Sequence, residues 1–161
     1  MLAVGFAGPA SAAPTPATFA ITGGTLSITE PSALADLGTR ANTVAGGTVS
    51  GSLGEVQVND ARSAIAGSGW VASVISSAFT PTAGTAVAAS AVSYNAGVIV
   101  KVGTATYTAN NPAALTGVIP AVTATGITGD NSATWNPTIT VTVPGGAVAG
   151  VYTATITHSV V

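Results

Sequence analysis

Residues 53–77 read Leu53-Gly-Glu-Val-Gln-Val-Asn-Asp-Ala-Arg-Ser-Ala-Ile-Ala-Gly-Ser-Gly-Trp-Val-Ala-Ser-Val-Ile-Ser-Ser77. Val56 and Val58 alternate with Glu55, Gln57 and Asn59, the period of a strand with one face buried. Asn59, Asp60, Arg62 and the Gly and Ser positions after them predict a turn or loop. Beyond it, Trp70, Ala72 and Val74 alternate with Val71, Ser73 and Ile75. The stretch is therefore expected to run strand, charged turn, strand. It gathers three of the eight charged residues of the chain (Glu55, Asp60, Arg62) and one of its two tryptophans. No other segment concentrates polar and aromatic side chains in this way.

Upstream, Thr18-Phe-Ala-Ile21 and Thr25-Leu-Ser-Ile-Thr29 alternate and are split by Gly23-Gly24. Both predict strands, as a hairpin or as one bulged strand, and Glu30-Pro31 stops the second. Ser32 to Gly47 reads as a loop. Downstream, Phe79-Thr-Pro-Thr-Ala-Gly84 is a loop with one buried aromatic anchor. Ala86 to Tyr94 reads as an irregular strand. Val98 to Val102, continued by Ala105 and Tyr107, predicts a strand that ends at the Asn110-Asn111-Pro112 turn. Pro120 is expected to confine Leu115–Ile127 to a sheet edge or to break it. Gly129-Asp-Asn-Ser132 predicts a turn.

Thr138-Ile-Thr-Val-Thr-Val143 and Val151–Val161 are the clearest strands. In each, threonines line one face and apolar residues line the other. Placed side by side, the two threonine rows would pair across strands and make a solvent face with almost no charge. About eight to ten short strands with turn signals between them, and no good helix, predict an all-β fold, an antiparallel Ig-like β-sandwich.

Composition agrees. The chain has 161 residues, 47% of them hydrophobic, which is enough for one domain with a sizeable core. A formal net charge of −2 with only three Lys or Arg residues excludes a basic face for nucleic acid or for an anionic membrane surface. Cysteine is absent, so no disulfide framework is possible. No apolar run approaches the roughly 20 residues of a membrane span. The start, Met1-Leu-Ala-Val-Gly-Phe-Ala-Gly-Pro-Ala-Ser-Ala-Ala13, has a short apolar run and an A-x-A site but no positive charge. Residues 1–12 are therefore expected to be a signal peptide remnant and 13–161 a single secreted domain.

Asn59-Asp60-x-Arg62…Gly69-Trp70-Val71-Ala72, with Tyr152-Thr-Ala-Thr-Ile-Thr-His158-Ser-Val160 near the end, resembles the WxL domain of Gram-positive surface proteins. That family carries an early D-x-R…G-W-x-[L/V] motif and a late Y-x-x-x-[I/V]-x-W-x-L motif. The resemblance covers roughly Leu53 to the end of the chain, with the strands before it. Ala72 stands where the family prefers a large aliphatic residue, His158 where it has its second Trp, and Val160 where it has Leu. The resemblance implies non-covalent attachment to the cell wall, to peptidoglycan, sometimes within a multi-protein surface complex.

The residues themselves leave each role with two readings. Asp60 and Arg62 read as an ion pair that pins a turn, or as a polar contact to wall glycan or a partner. Trp70, opening an alternating strand, is expected to be buried; Trp135, beside Asn136-Pro137, is expected to be partly exposed and free to stack on a sugar. Tyr94, Tyr107 and Tyr152 suit core or rim positions, and Tyr152 joins Asp60, Arg62, Trp70 and Trp135 as a candidate contact. His158, the single histidine, reads as a satisfied structural residue. No nucleophile elbow, metal-ligand spacing or phosphate loop is present, so no enzyme activity and no cofactor are expected. Three functions are weighed: a non-catalytic, cell-wall-associated surface domain, a structural subunit packed against other surface proteins, and, least favoured, a secreted hydrolase.

Overall fold

The computed structural model of this chain describes residue 1 and residues 16–33 and 35–161. Apart from Met1, the expected signal remnant lies outside the described residues. Ten strands follow in order: β1 (Leu26–Thr29), β2 (Gly47–Ser52), β3 (Val56–Ser76), β4 (Thr80–Pro81), β5 (Val92–Asn95), β6 (Val100–Ala109), β7 (Ile119–Trp135), β8 (Thr138–Val143), β9 (Tyr152–Thr153) and β10 (Ile156–Val160). The one helical element among the described residues is a 3-10 turn at Ala89–Ala91. Few Leu, Lys, Arg or Glu beside the alanines, 20 glycines and abundant Thr and Val explain the balance. No described helix is long and apolar enough to cross a membrane.

The large sheet runs β1-β3-β7-β6, and β10 also pairs with β3. The small sheet runs β2-β8-β5, and β4 and β9 form a short ribbon. Every pairing is antiparallel. Val56, Val58, Ala72 and Val74 of β3, Val122 and Ile127 of β7, Val92 and Tyr94 of β5 and Ile139 and Val141 of β8 join in one buried cluster. The antiparallel β-sandwich expected from the sequence is what the chain forms.

Several local expectations are corrected. Residues 53–77 are not two strands around a turn; Val56–Ser76 is one 21-residue strand. Its register with β7 shifts between Asp60 and Ala64 and again before Trp70, so the charged segment is a bulged middle rather than a reversal. Gly129-Asp-Asn-Ser132 is likewise the bulged middle of β7, not a turn. Pro120 lies in β7, which sits between β3 and β6; it is tolerated because it is only the second residue of the strand.

Thr18–Ile21 forms no strand. The two threonine rows are not neighbours either, because β8 pairs with β2 and β5 while the last strands pair with β3 and β4. The threonines of β8 meet Ser52, Ser50 and Thr48 of β2 instead, and Thr140 Oγ1 lies 2.8 Å from Ser50 Oγ.

Candidate functional site

The early motif closes into one hydrogen-bonded unit. Asp60 has no exposed surface, yet it keeps its charge. Arg62 Nε–H donates to Asp60 Oδ1 at 2.8 Å and Nη2–H to Oδ2 at 2.9 Å, a two-pronged fork. The Arg62 backbone N–H adds a bond to Oδ1 at 3.1 Å. These donors hold the carboxyl below the usual Asp range; the Arg62 side-chain bonds outweigh the burial that pushes it up, and Asn131 helps them.

Asn131 Nδ2–H donates to Asp60 Oδ2 at 3.2 Å, while its own Oδ1 accepts from Trp70 Nε1–H at 3.0 Å and Tyr107 O–H at 3.2 Å. Arg62 Nη2–H also reaches the Gly69 carbonyl at 3.2 Å. The bulge is what brings this about: it lets Arg62 fold back over the strand that carries Asp60. Asn131 was hidden from sequence reasoning because Gly129-Asp-Asn-Ser132 looks like a turn.

A second chain of bonds joins the two sheets. Trp135 Nε1–H donates to Tyr94 Oη at 2.6 Å, Tyr94 Oη lies 3.1 Å from His158 Nε2, and His158 Nδ1 lies 2.9 Å from Glu30 Oε2. Trp135 is only 2% exposed, which corrects its expected place at the surface. Its strand partner is Val56 at the core end of β3, and its N–H is satisfied inside by Tyr94. One proton arrangement satisfies every atom: Tyr94 O–H donates to Nε2, and Nδ1–H donates to Glu30. Burial raises the Tyr94 hydroxyl pKa and lowers that of His158, with Glu30 working against the latter. The late motif's His158 and Trp135 are thus joined through Tyr94, with Glu30 beyond His158, and no sequence motif marks Tyr94 or Glu30.

Tyr152 is half-buried, and its O–H donates to the Val148 carbonyl at 2.9 Å. It lines a groove of about 860 Å³ between Pro31, Ala33 and residues 35–42 on one side and the C-terminal segment on the other, floored by Val49, Phe79, Val87 and Val141. Asn42 Nδ2–H ties the two walls by donating to the Ala147 carbonyl at 2.7 Å. Of the five candidate contacts, then, Asp60, Trp70 and Trp135 lie inside. Arg62, whose side chain is 38% exposed, and Tyr152 reach the surface at different places.

The outer face of the large sheet is a further surface. Because Val56 and Val58 point inward, Gln57 and Asn59 point outward. Strand register extends them into two rows, Thr29–Gln57–Thr134–Val100 and Ser27–Asn59–Ser132–Val102. Directly opposed residues share a face. Each row is hydroxyl and amide until the β6 valine, and neither carries a charge. Gln57 Nε2–H donates to Thr134 Oγ1 at 3.0 Å, which fixes one pair. Chemically, such a face offers donors and acceptors to a neutral polar ligand.

The chain matches no family model, no curated protein and no solved structure.

Proposed function

We propose that this chain is a secreted, non-catalytic cell-surface domain that associates non-covalently with the cell wall, with peptidoglycan as its ligand. The observation that carries the reading is the uncharged hydroxyl and amide face formed by Ser27, Thr29, Gln57, Asn59, Ser132 and Thr134. Glycan strands are neutral over most of their surface and rich in hydroxyls, and a flat face with alternating donors and acceptors suits them. The WxL-like residues support the same reading in a different way. Asp60, Arg62, Gly69 and Trp70 form one unit behind that face, so the motif is a scaffold that sets the strand register rather than the contact itself.

The test is sedimentation with purified peptidoglycan sacculi over a salt series. Binding is expected to persist at high salt, since no charges are screened. Gln57→Lys with Thr134→Lys is expected to move most of the protein to the supernatant. Wild-type protein that remains in the supernatant at every salt concentration would exclude wall binding.

A specific observation favours a second reading, a structural subunit of a surface assembly. Trp70, Trp135 and Tyr94 are all buried, so they form no aromatic platform for sugars, whereas β6 is a ten-residue strand paired on one side only among the described residues. An unpaired edge of that length is a template for another strand.

A further inference from the structure

We propose that Thr18–Ile21 is a strand-donating arm that adds to the β6 edge of a second copy of this chain. This inference rests on the assembly reading and names its partner.

The arm has the pattern of a strand but pairs with no strand among the described residues. Phe19 and Ile21 stand two apart and are 89% and 79% exposed. Thr18 and Ala20 alternate with them, and residues 16–29 carry no charge. The reason the arm does not extend the β1 ladder lies in β3. β1 pairs with β3 as far as Leu26 opposite Asp60, and the Gly24 N–H carries the ladder on to the Ala61 carbonyl. Gly23 lies against the Arg62 carbonyl, where a Cβ would come within 2.8 Å. At Ser63 the φ angle is 54° and the register with β7 shifts. β3 bends away there, and the chain before Gly23 runs off the sheet.

β6 has the complementary lack. It pairs with β7, and its other side is unpaired among the described residues. Val100 and Val102 stand two apart on the outer face, 65% and 67% exposed. The spacing matches Phe19 and Ile21, so an added strand brings two apolar pairs together on one face. Lys101 is the only charge on β6, and its ammonium lies over the Tyr107 ring, 5.8 Å from the centroid, away from the outer row. Gly103, at φ 88°, divides the edge at a bulge, but a four-residue arm needs only one part of it.

Strand polarity fixes the outcome. β1 is antiparallel to β3, β3 to β7 and β7 to β6, so β1 is antiparallel to β6. The arm continues β1, which borders the opposite edge of the sheet from β6. Copies related by translation alone therefore bring each arm antiparallel to the next β6. Donor and acceptor lie on opposite edges, so the contact is head-to-tail and open-ended, giving short fibres rather than closed dimers.

The test is sedimentation velocity of the full chain over a concentration series, with three further chains: Phe19→Asp with Ile21→Asp, Val100→Lys with Val102→Lys, and Thr142→Lys on the small sheet as a control. Wild type and control are expected to form a ladder of species, and each of the other two to raise the apparent dissociation constant by about tenfold or more. The cysteine-free sequence permits a direct check on contact. With Phe19 and Ile21 opposite Val102 and Val100, Ala20 and Lys101 share the other face, so an Ala20→Cys chain mixed with a Lys101→Cys chain should form a disulfide heterodimer under mild oxidation, and with a Thr142→Cys chain it should not. A ladder that is unaffected by the arm and β6 substitutions would overturn the arm while leaving assembly intact. A monomer at every concentration would overturn both.

Discussion

Asp60 is a carboxylate with no surface, and its burial is offset by four donors: the two of the Arg62 fork, the Arg62 backbone N–H and the Asn131 amide. Cutting one partner is worse than never having built the pair, because the charge stays behind. Arg62→Ala should destabilise the fold by about 2–3 kcal/mol, less than a fully interior pair, since water reaches Arg62. Urea unfolding measures it. Arg62→Lys should recover only part of the loss, because an ammonium cannot reproduce the fork or reach the Gly69 carbonyl as well. A wild-type midpoint in Arg62→Ala would mean that the network carries no stability. The residue scale is also where the sequence was most legible: Asp60 and Arg62 two apart, followed by Trp70, were readable as a pinned unit.

β3 and β7 set the frame at the scale of elements. Both are long, and both change register in the same middle region. Neither could be read as a single strand, because Gly, Ser, Asp and Asn in a row signal a turn wherever a neighbour does not claim them. Here each strand supplies the other's missing partner. Gly69 shows how close the two lie: a Cβ there would come 2.7 Å from the Ala124 carbonyl oxygen, on backbone that has little room to move. Gly69→Ala should therefore cost about 1–3 kcal/mol and blunt the Trp70 signal in near-ultraviolet circular dichroism. Gly117→Ala, with open space around it, should be close to neutral under the same denaturant titration.

At the scale of the whole molecule, the Trp135–Tyr94–His158–Glu30 row clasps one sheet to the other and holds the end of β1 against β10. Its bonds run in one direction only while His158 is neutral. A proton on Nε2 would face Tyr94 with a second donor and leave the Tyr94 hydroxyl without an acceptor. Burial places the folded pKa of His158 below its ordinary value. The unfolded chain then binds the proton more readily, so stability is complete above about pH 6.5 and falls as pH drops from there through the folded pKa. Thermal midpoints measured across that range should decline for the wild type and stay flatter for His158→Gln. Equal slopes would show that His158 does not govern the acid response.

The sequence by itself determined the all-β class and the low charge, and offered the pairing of Asp60 with Arg62 as one of two readings, because two-residue periodicity and charge balance are local properties. Tertiary structure alone decided three things: that Trp135 faces inward, that Asn131 and Glu30 complete the two polar rows, and that Thr18–Ile21 forms no strand. Each depends on what lies across a strand boundary. Trp135 turns inward because Tyr94, 41 residues away in the chain, offers its N–H an acceptor. Glu30 reaches His158 across 128 residues for the same reason. Residues 53–77 owe their continuity to β7, which supplies a partner along the bulged middle and so converts an apparent turn into one strand.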